Sequence, residues 1–179
     1  QNTNALPLAM LSSPEVLEVD TNGEDFFALH NDIWSGICGE DMQVLKQVDE
    51  YSASLVNLES SVNSDGNTVY TKIDGSEEAA VRYEINITRE MPLYYYFTAP
   101  GTPKATVRVN GQDRGAYFSD YSWHIAYAGT YKPGDTVVIE LVLNGESIRV
   151  GESYFYYEDL QAHAEATDII KTNQVELQK

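Results

Sequence analysis

The sequence predicts a mainly β protein: an antiparallel β-sandwich, jelly-roll-like, with a short N-terminal helix and a C-terminal helix. Three observations carry this. Apolar residues alternate over short runs such as "AAVRYEINI" and "DTVVIELVL", the period of a half-buried strand. Asp-Gly, Asn-Gly and Pro-Gly pairs separate the runs, which are turn signals with a backbone reason. The connections are also too short for the crossovers that a parallel sheet needs. The expected organisation is a β-sandwich domain over 1–158, then a C-terminal helix and the start of a truncated following segment over 159–179.

In chain order, "ALPLAMLSSPEVLEVD" (5–20) is broken by Pro7 and Pro14 and reads as an extended lead-in with a short strand. The period then changes. Phe27, His30, Trp34 and Ile37 recur at spacings of three and four, giving a short helix over about 25–37 capped by Asp25 and ended by Gly36 and Gly39. Strands begin after residue 44. Leu55, Val56 and Leu58 lie in one, and "NSDGN" turns it into "NTVYTKI". Val81, Tyr83, Ile85 and Ile87 share a face opposite Arg82, Glu84 and Asn86. "PLYYYF" follows, then a hairpin turned at Asn110-Gly111, then a Pro133-Gly134 turn into a strand with Val137, Ile139 and Leu141 on one side. "SYFYYE" is the last strand. Ala162, Ala166, Ile169 and Ile170 form a helical stripe, with Asp159 at the N-terminus and Lys171 near the end. "QVELQK" is expected to start another strand.

Composition excludes several function classes. Eleven basic against 28 acidic residues leave a formal charge of −17, a field that repels nucleic acid and anionic lipid. The basic residues of "KATVRVNGQDR" are spread around a turn and do not form a patch. Cys38 is the single cysteine, which excludes an internal disulfide and a zinc knuckle. No signal peptide is visible, and no apolar run approaches the length of a membrane helix. Opening on Gln1, the sequence is expected to be a processed or trimmed piece of a longer one.

The aromatic runs are the first candidate site. In "MPLYYYFTAP" (91–100), Leu93, Tyr95 and Phe97 point to one side of a strand and Tyr94 and Tyr96 to the other. The first set is expected in the core; the second contacts ligand only if its sheet face is open. Tyrosine suits carbohydrate, since sugar CH groups stack on the ring while hydroxyls meet polar neighbours, yet it also packs well on any half-buried strand. A second concentration, "YFSDYSWHIAY", offers Tyr121, Trp123 and His124 on a loop entering a strand, where binding residues concentrate; there the competing reading is a tryptophan capping the core.

"DTNGED" places Asp20, Asn22 and Glu24 near a glycine, as a calcium loop begins, but the rest of that pattern is missing and a helix-capping turn accounts for it. Of the three histidines, His30 falls on an apolar helix face and His163 on the expected surface of the C-terminal helix. No nucleophile elbow, zinc-protease motif or phosphate loop occurs. No catalytic residue and no cofactor is predicted.

The order "ALPLAMLSS", "IWSGICGEDM", "MPLYYYF", "VRVNG", "YKPGDTVVIEL" and "FYYEDLQAHAEA" resembles the extracytoplasmic C-terminal region of the bacterial YfhO membrane proteins. That resemblance implies a Gram-positive, multi-spanning, lipid-linked glycosyltransferase-like parent that decorates cell-surface polymers such as lipoteichoic acid in the cell wall. It places this region on the extracellular face of the membrane, with the parent's own transmembrane region as partner and the acidic catalytic residues in that region. The expected function is thus a non-catalytic extracellular domain that recognises a glycan acceptor. The alternatives are a carbohydrate-active enzyme on a β-sandwich and a purely structural ectodomain. A charge of −17 conflicts with a polyphosphate ligand unless divalent cations bridge them, or the contact is to neutral sugar or to a partner protein.

Overall fold

The computed structural model describes residues 23–48, 50–100, 103–114, 117–118 and 123–177. The expected lead-in and first short strand fall on residues 1–22, outside the described residues. Helix α1 spans Gly23–Cys38 and is followed by a single 3-10 turn, Glu40–Met42. The strands are β1 (Leu45–Gln47), β2 (Tyr51–Val56), β3 (Leu58–Val62), β4 (Thr68–Lys72), β5 (Ala80–Asn86), β6 (Pro92–Thr98), β7 (Ala105–Val109), β8 (Gln112–Arg114), β9 (Tyr117–Phe118), β10 (Trp123–Thr130), β11 (Thr136–Leu143), β12 (Ser147–Val150) and β13 (Ser153–Glu158). Helix α2, Leu160–Leu177, follows.

Among the described residues the strands form three antiparallel sheets. Sheet I has the order β1-β13-β6-β10-β9, sheet II β2-β5-β11-β7-β8, and the smaller sheet III β12-β4-β3. The predicted alternation produces the sandwich directly. Leu93, Tyr95, Phe97, Phe155 and Tyr157 of sheet I meet Val81, Tyr83, Ile85, Val107, Ile139 and Leu141 of sheet II in one apolar cluster. Tyr95 and Phe97 stack with ring centroids 5.0 Å apart, and Tyr95 and Phe155 do the same. Burying such rings is the main stabilising contribution of the interior.

The turns follow from local backbone chemistry. Asn110 and Gly111 both take positive φ, 49° and 82°, as a two-residue hairpin turn between β7 and β8 requires. Asn63 Oδ1 accepts from the Asp65 and Asn67 amides around the Asp65-Gly66 turn. At Asn57, φ of 54° ends β2 and lets the chain pass from sheet II to sheet III, and its side-chain amide donates to the Glu78 carbonyl at 2.8 Å.

Both helices lie on the outer face of sheet I. Trp34, Val44, Leu45 and Ala166 pack with Tyr94, Tyr96, Ile125 and Tyr156 there, flanked by Ile33, Cys38 and Ile170. Several expectations change. Helix α1 starts before Asp25, which puts that residue inside the helix and not at its cap. Ile37, expected on the buried stripe, is exposed; the face turned to the sheet carries Ile33, Trp34 and Cys38. Residues Gln174 to Leu177 continue α2 and do not open a new strand, since no turn residue interrupts the helical run. His163 is half-buried, its ring 5.3 Å from that of Trp34.

Asp159 caps α2: its Oδ1 accepts from the Ala162 amide at 3.0 Å, satisfying one of the free first-turn donors. Replacing Asp159 with alanine is expected to lower stability by about 1 kcal/mol, read as a fall in the urea midpoint with an unchanged slope.

Candidate functional site

Of the residues singled out in the sequence, Tyr94, Tyr96 and His124 have described side chains, and all three are buried. Tyr94 and Tyr96 are 7% and 0% exposed, because α1 and α2 cover the sheet face they occupy. Tyr94 stacks on Tyr156 at 5.4 Å and 14°, an interior ring pair. The condition for ligand contact, an open outer face on sheet I, is not met. His124 is fully buried, its Nε2 3.0 Å from the Ala99 carbonyl and its ring 5.1 Å from that of Phe97. These three side chains belong to the packing of the sheet. Tyr121, the side chain of Trp123, and the weak metal set Asp20, Asn22 and Glu24 lie outside the described side chains. Among the described residues no group of three His, Cys, Asp or Glu is placed to hold a metal ion.

The structure instead opens a mouth at one flank of the sandwich. In the antiparallel pairing of β2 with β5, Tyr51 sits opposite Ile85, Ala53 opposite Tyr83, and Leu55 opposite Val81. Directly paired residues share a side of the sheet, so Tyr51, Ala53 and Leu55 project toward the sandwich interior. Yet Tyr51 and Leu55 are 44% and 41% exposed. Strand β2 is the edge of sheet II, and its inward apolar face is left open to solvent.

Sheet III forms the second wall. Ser60 pairs with Tyr70, and Tyr70 with Ile148 of β12. Ser60, Thr68 and Tyr70 therefore lie on the same side as the buried Leu58, Ile148 and Val150. The two walls and the chain at Gly151 and Ser153 enclose a cleft of about 380 Å³, whose lining includes Tyr51, Leu55, Ser60, Thr68, Tyr70, Tyr83 and Ser153.

The floor and the aromatic wall of the cleft are held by the core behind them. Ser153 Oγ lies 3.0 Å from Tyr83 Oη and 3.1 Å from Tyr95 Oη, which ties the cleft floor to the core. The Tyr51 ring is backed by Phe155 at 4.9 Å and by Tyr83 at 6.3 Å. One side of the ring is thus held while the residue stays substantially exposed, the arrangement of a fixed stacking platform. Burial pushes the Tyr70 and Tyr83 hydroxyls above their ordinary range, so both remain protonated. A Cβ at Gly151 would collide with Thr98 Oγ1, and that oxygen accepts from the Glu152 amide at 2.7 Å. Glycine is required for this close approach beside the floor.

Among the described residues lining the cleft there is no carboxylate, histidine or cysteine. The arrangement offers aromatic faces and the hydroxyls of serine, threonine and tyrosine, which stack and hydrogen-bond. Sequence reasoning missed this site because its members come from β2, β3, β4, β5 and β13. The available signal was the alternation of "YSASLV" (51–56), which reads as ordinary core until its uncovered position is known.

Fold and site together define an antiparallel β-sandwich domain with one helix-covered flank and one open, aromatic, hydroxyl-lined mouth. The chain belongs to the YfhO family: the family model described as bacterial membrane protein YfhO matches residues 1–179, its whole length. Among the described residues no helix is long and apolar enough to cross a membrane. No curated protein matches the chain. Solved structures similar to it include a family 35 carbohydrate binding module from Clostridium thermocellum (13% identity, TM-score 0.38, covering 65% of this chain and 98% of that one). A family 29 carbohydrate binding module matches at 15% identity and TM-score 0.37, covering 64% and 89%. CpGH89CBM32-6, produced by Clostridium perfringens, matches at 17% identity and TM-score 0.35, covering 62% and 95%. At this degree of overlap the likeness assigns neither ligand nor site to the present chain.

Proposed function

We propose that this domain is a non-catalytic glycan-recognition module, which binds sugar in the mouth between β2 and sheet III. In this reading it stands on the extracellular face of the membrane, as part of a multi-spanning protein that glycosylates a cell-surface polymer. It presents the acceptor to the membrane-embedded part. The observation that carries the proposal is Tyr51: an aromatic ring on the inward face of an edge strand, 44% exposed and braced from behind by Phe155. Family membership supports the membrane context. The lining, free of carboxylate, histidine and cysteine among the described residues, favours binding over hydrolysis, which on a glycoside uses a pair of carboxylates.

Calorimetric titration of the chain with lipoteichoic acid, peptidoglycan fragments and soluble cell-wall oligosaccharides tests this. Saturable binding to at least one glycan is expected. Tyr51→Ala should weaken it by at least about tenfold, equivalent to 1.4 kcal/mol, while changing folding stability by about 1 kcal/mol or less. Absence of binding across the panel, or binding indifferent to Tyr51→Ala, overturns the proposal.

A further inference from the structure

We infer that the ligand group seated in this mouth is an uncharged pyranose residue, so that the domain selects the neutral sugar of a polymer against its anionic groups. The inference rests on the glycan-binding reading above and names the class of sugar. Its grounds are the chemistry of the walls and the field around them.

The polar groups that the register turns into the cleft are hydroxyls: Ser60, Thr68 and Tyr70 from sheet III, and Ser153 at the floor. A hydroxyl both donates and accepts, which matches the hydroxyls of a neutral sugar. A phosphate or carboxylate requires cationic or backbone donors to replace its hydration, and no lysine or arginine is among the described lining residues. Burial keeps the Tyr70 and Tyr83 phenols protonated, so the described walls bear no charge. The surrounding chain carries a formal −17, which raises the potential energy of any anion entering the mouth. The apolar wall of Tyr51, Ala53 and Leu55 meets the CH face of a pyranose, and burying that face is favourable whatever its charge. Attraction is therefore common to neutral and anionic sugars, while desolvation and repulsion act on the anionic ones alone.

The test compares oligosaccharides of one backbone, unmodified and bearing phosphate or carboxylate groups, titrated into the chain at about 50 mM and about 500 mM salt. The quantity compared is the binding lost in Tyr51→Ala. This matters because a separate cleft of about 240 Å³ is lined by Lys104 and Arg149 together with Pro100 and Pro103 and offers anions another place. The unmodified sugar is expected to bind at least about tenfold tighter at low salt, with the gap narrowing at high salt as the field is screened. Ser60→Lys, which adds a cation to the mouth at an exposed position, should shrink the gap or reverse it. Equal or tighter Tyr51-dependent binding of the anionic sugars overturns the inference but leaves glycan recognition standing. If none of the sugars shows Tyr51-dependent binding, the glycan reading itself fails.

Discussion

Replacing Phe155 with alanine is expected to cost about 3–5 kcal/mol of folding stability, a large part of the total for a domain of this size. Phe155 is 1% exposed. Its ring lies 5.0 Å from Tyr95 in a stack and 5.0 Å from Tyr83 edge-on. Truncation removes those contacts and leaves a cavity between two sheets whose backbones are fixed by their ladders, so collapse around it is limited. The effect extends to the mouth. Tyr51 rests on the same ring at 4.9 Å, so the variant also frees the platform. Urea unfolding should show the midpoint falling with the slope unchanged. Phe155→Leu keeps the volume closer, unfolds less readily, and still weakens glycan binding, because a branched aliphatic chain does not hold the Tyr51 ring in one orientation. A loss below about 1 kcal/mol for Phe155→Ala would show that this stack is not packed as a core.

Much of the fold is legible from the residues because local and global preferences agree. Val81, Tyr83 and Ile85 alternate with polar residues and become the inner face of β5; Val137, Ile139 and Leu141 do the same for β11. Asn110-Gly111 turns where positive φ is needed, and Asp159 caps α2 through the hydrogen bond its type favours. What is not legible is which sheet face another element covers. Tyr94 and Tyr96 alternate with core residues as exposed rings would, and only the placement of α1 and α2 decides that they are buried. The reverse holds for Tyr51 and Leu55, whose alternation is that of a buried strand but whose position at the sheet edge leaves them open. Burial of a strand face is a property of its neighbours, and period alone does not encode it.

The same limit hides Glu158, and it has the second large consequence. Glu158, the acidic residue ending "SYFYYE", is 0% exposed, and among the described residues neither of its carboxyl oxygens has a hydrogen-bond partner. It sits opposite Leu45 on β1 and shares its side of β13 with Tyr156, beneath the helical layer. Burial there pushes its carboxyl up to about 7 from an ordinary 4.5. Below pH 4.5 folded and unfolded chains both hold this proton, and it adds nothing to the pH dependence. Between 4.5 and about 7 the unfolded chain releases it and the folded chain keeps it, so stability falls as pH rises; above 7 the loss is complete. The total is about 3 kcal/mol. Other carboxylates titrate in the same range, so the informative quantity is the stability of the parent chain minus that of Glu158→Gln, measured by urea unfolding from pH 4 to 8. That difference should decline by about 3 kcal/mol from pH 4.5 to 7 and then level off. A difference independent of pH would mean that water or a conformational shift solvates the carboxylate. Ionisation strains the helix-covered side of sheet I, whereas Tyr51 packs on Phe155 at the inner side. Glycan affinity in the mouth is accordingly expected to stay level across the pH interval in which the helical flank loses stability.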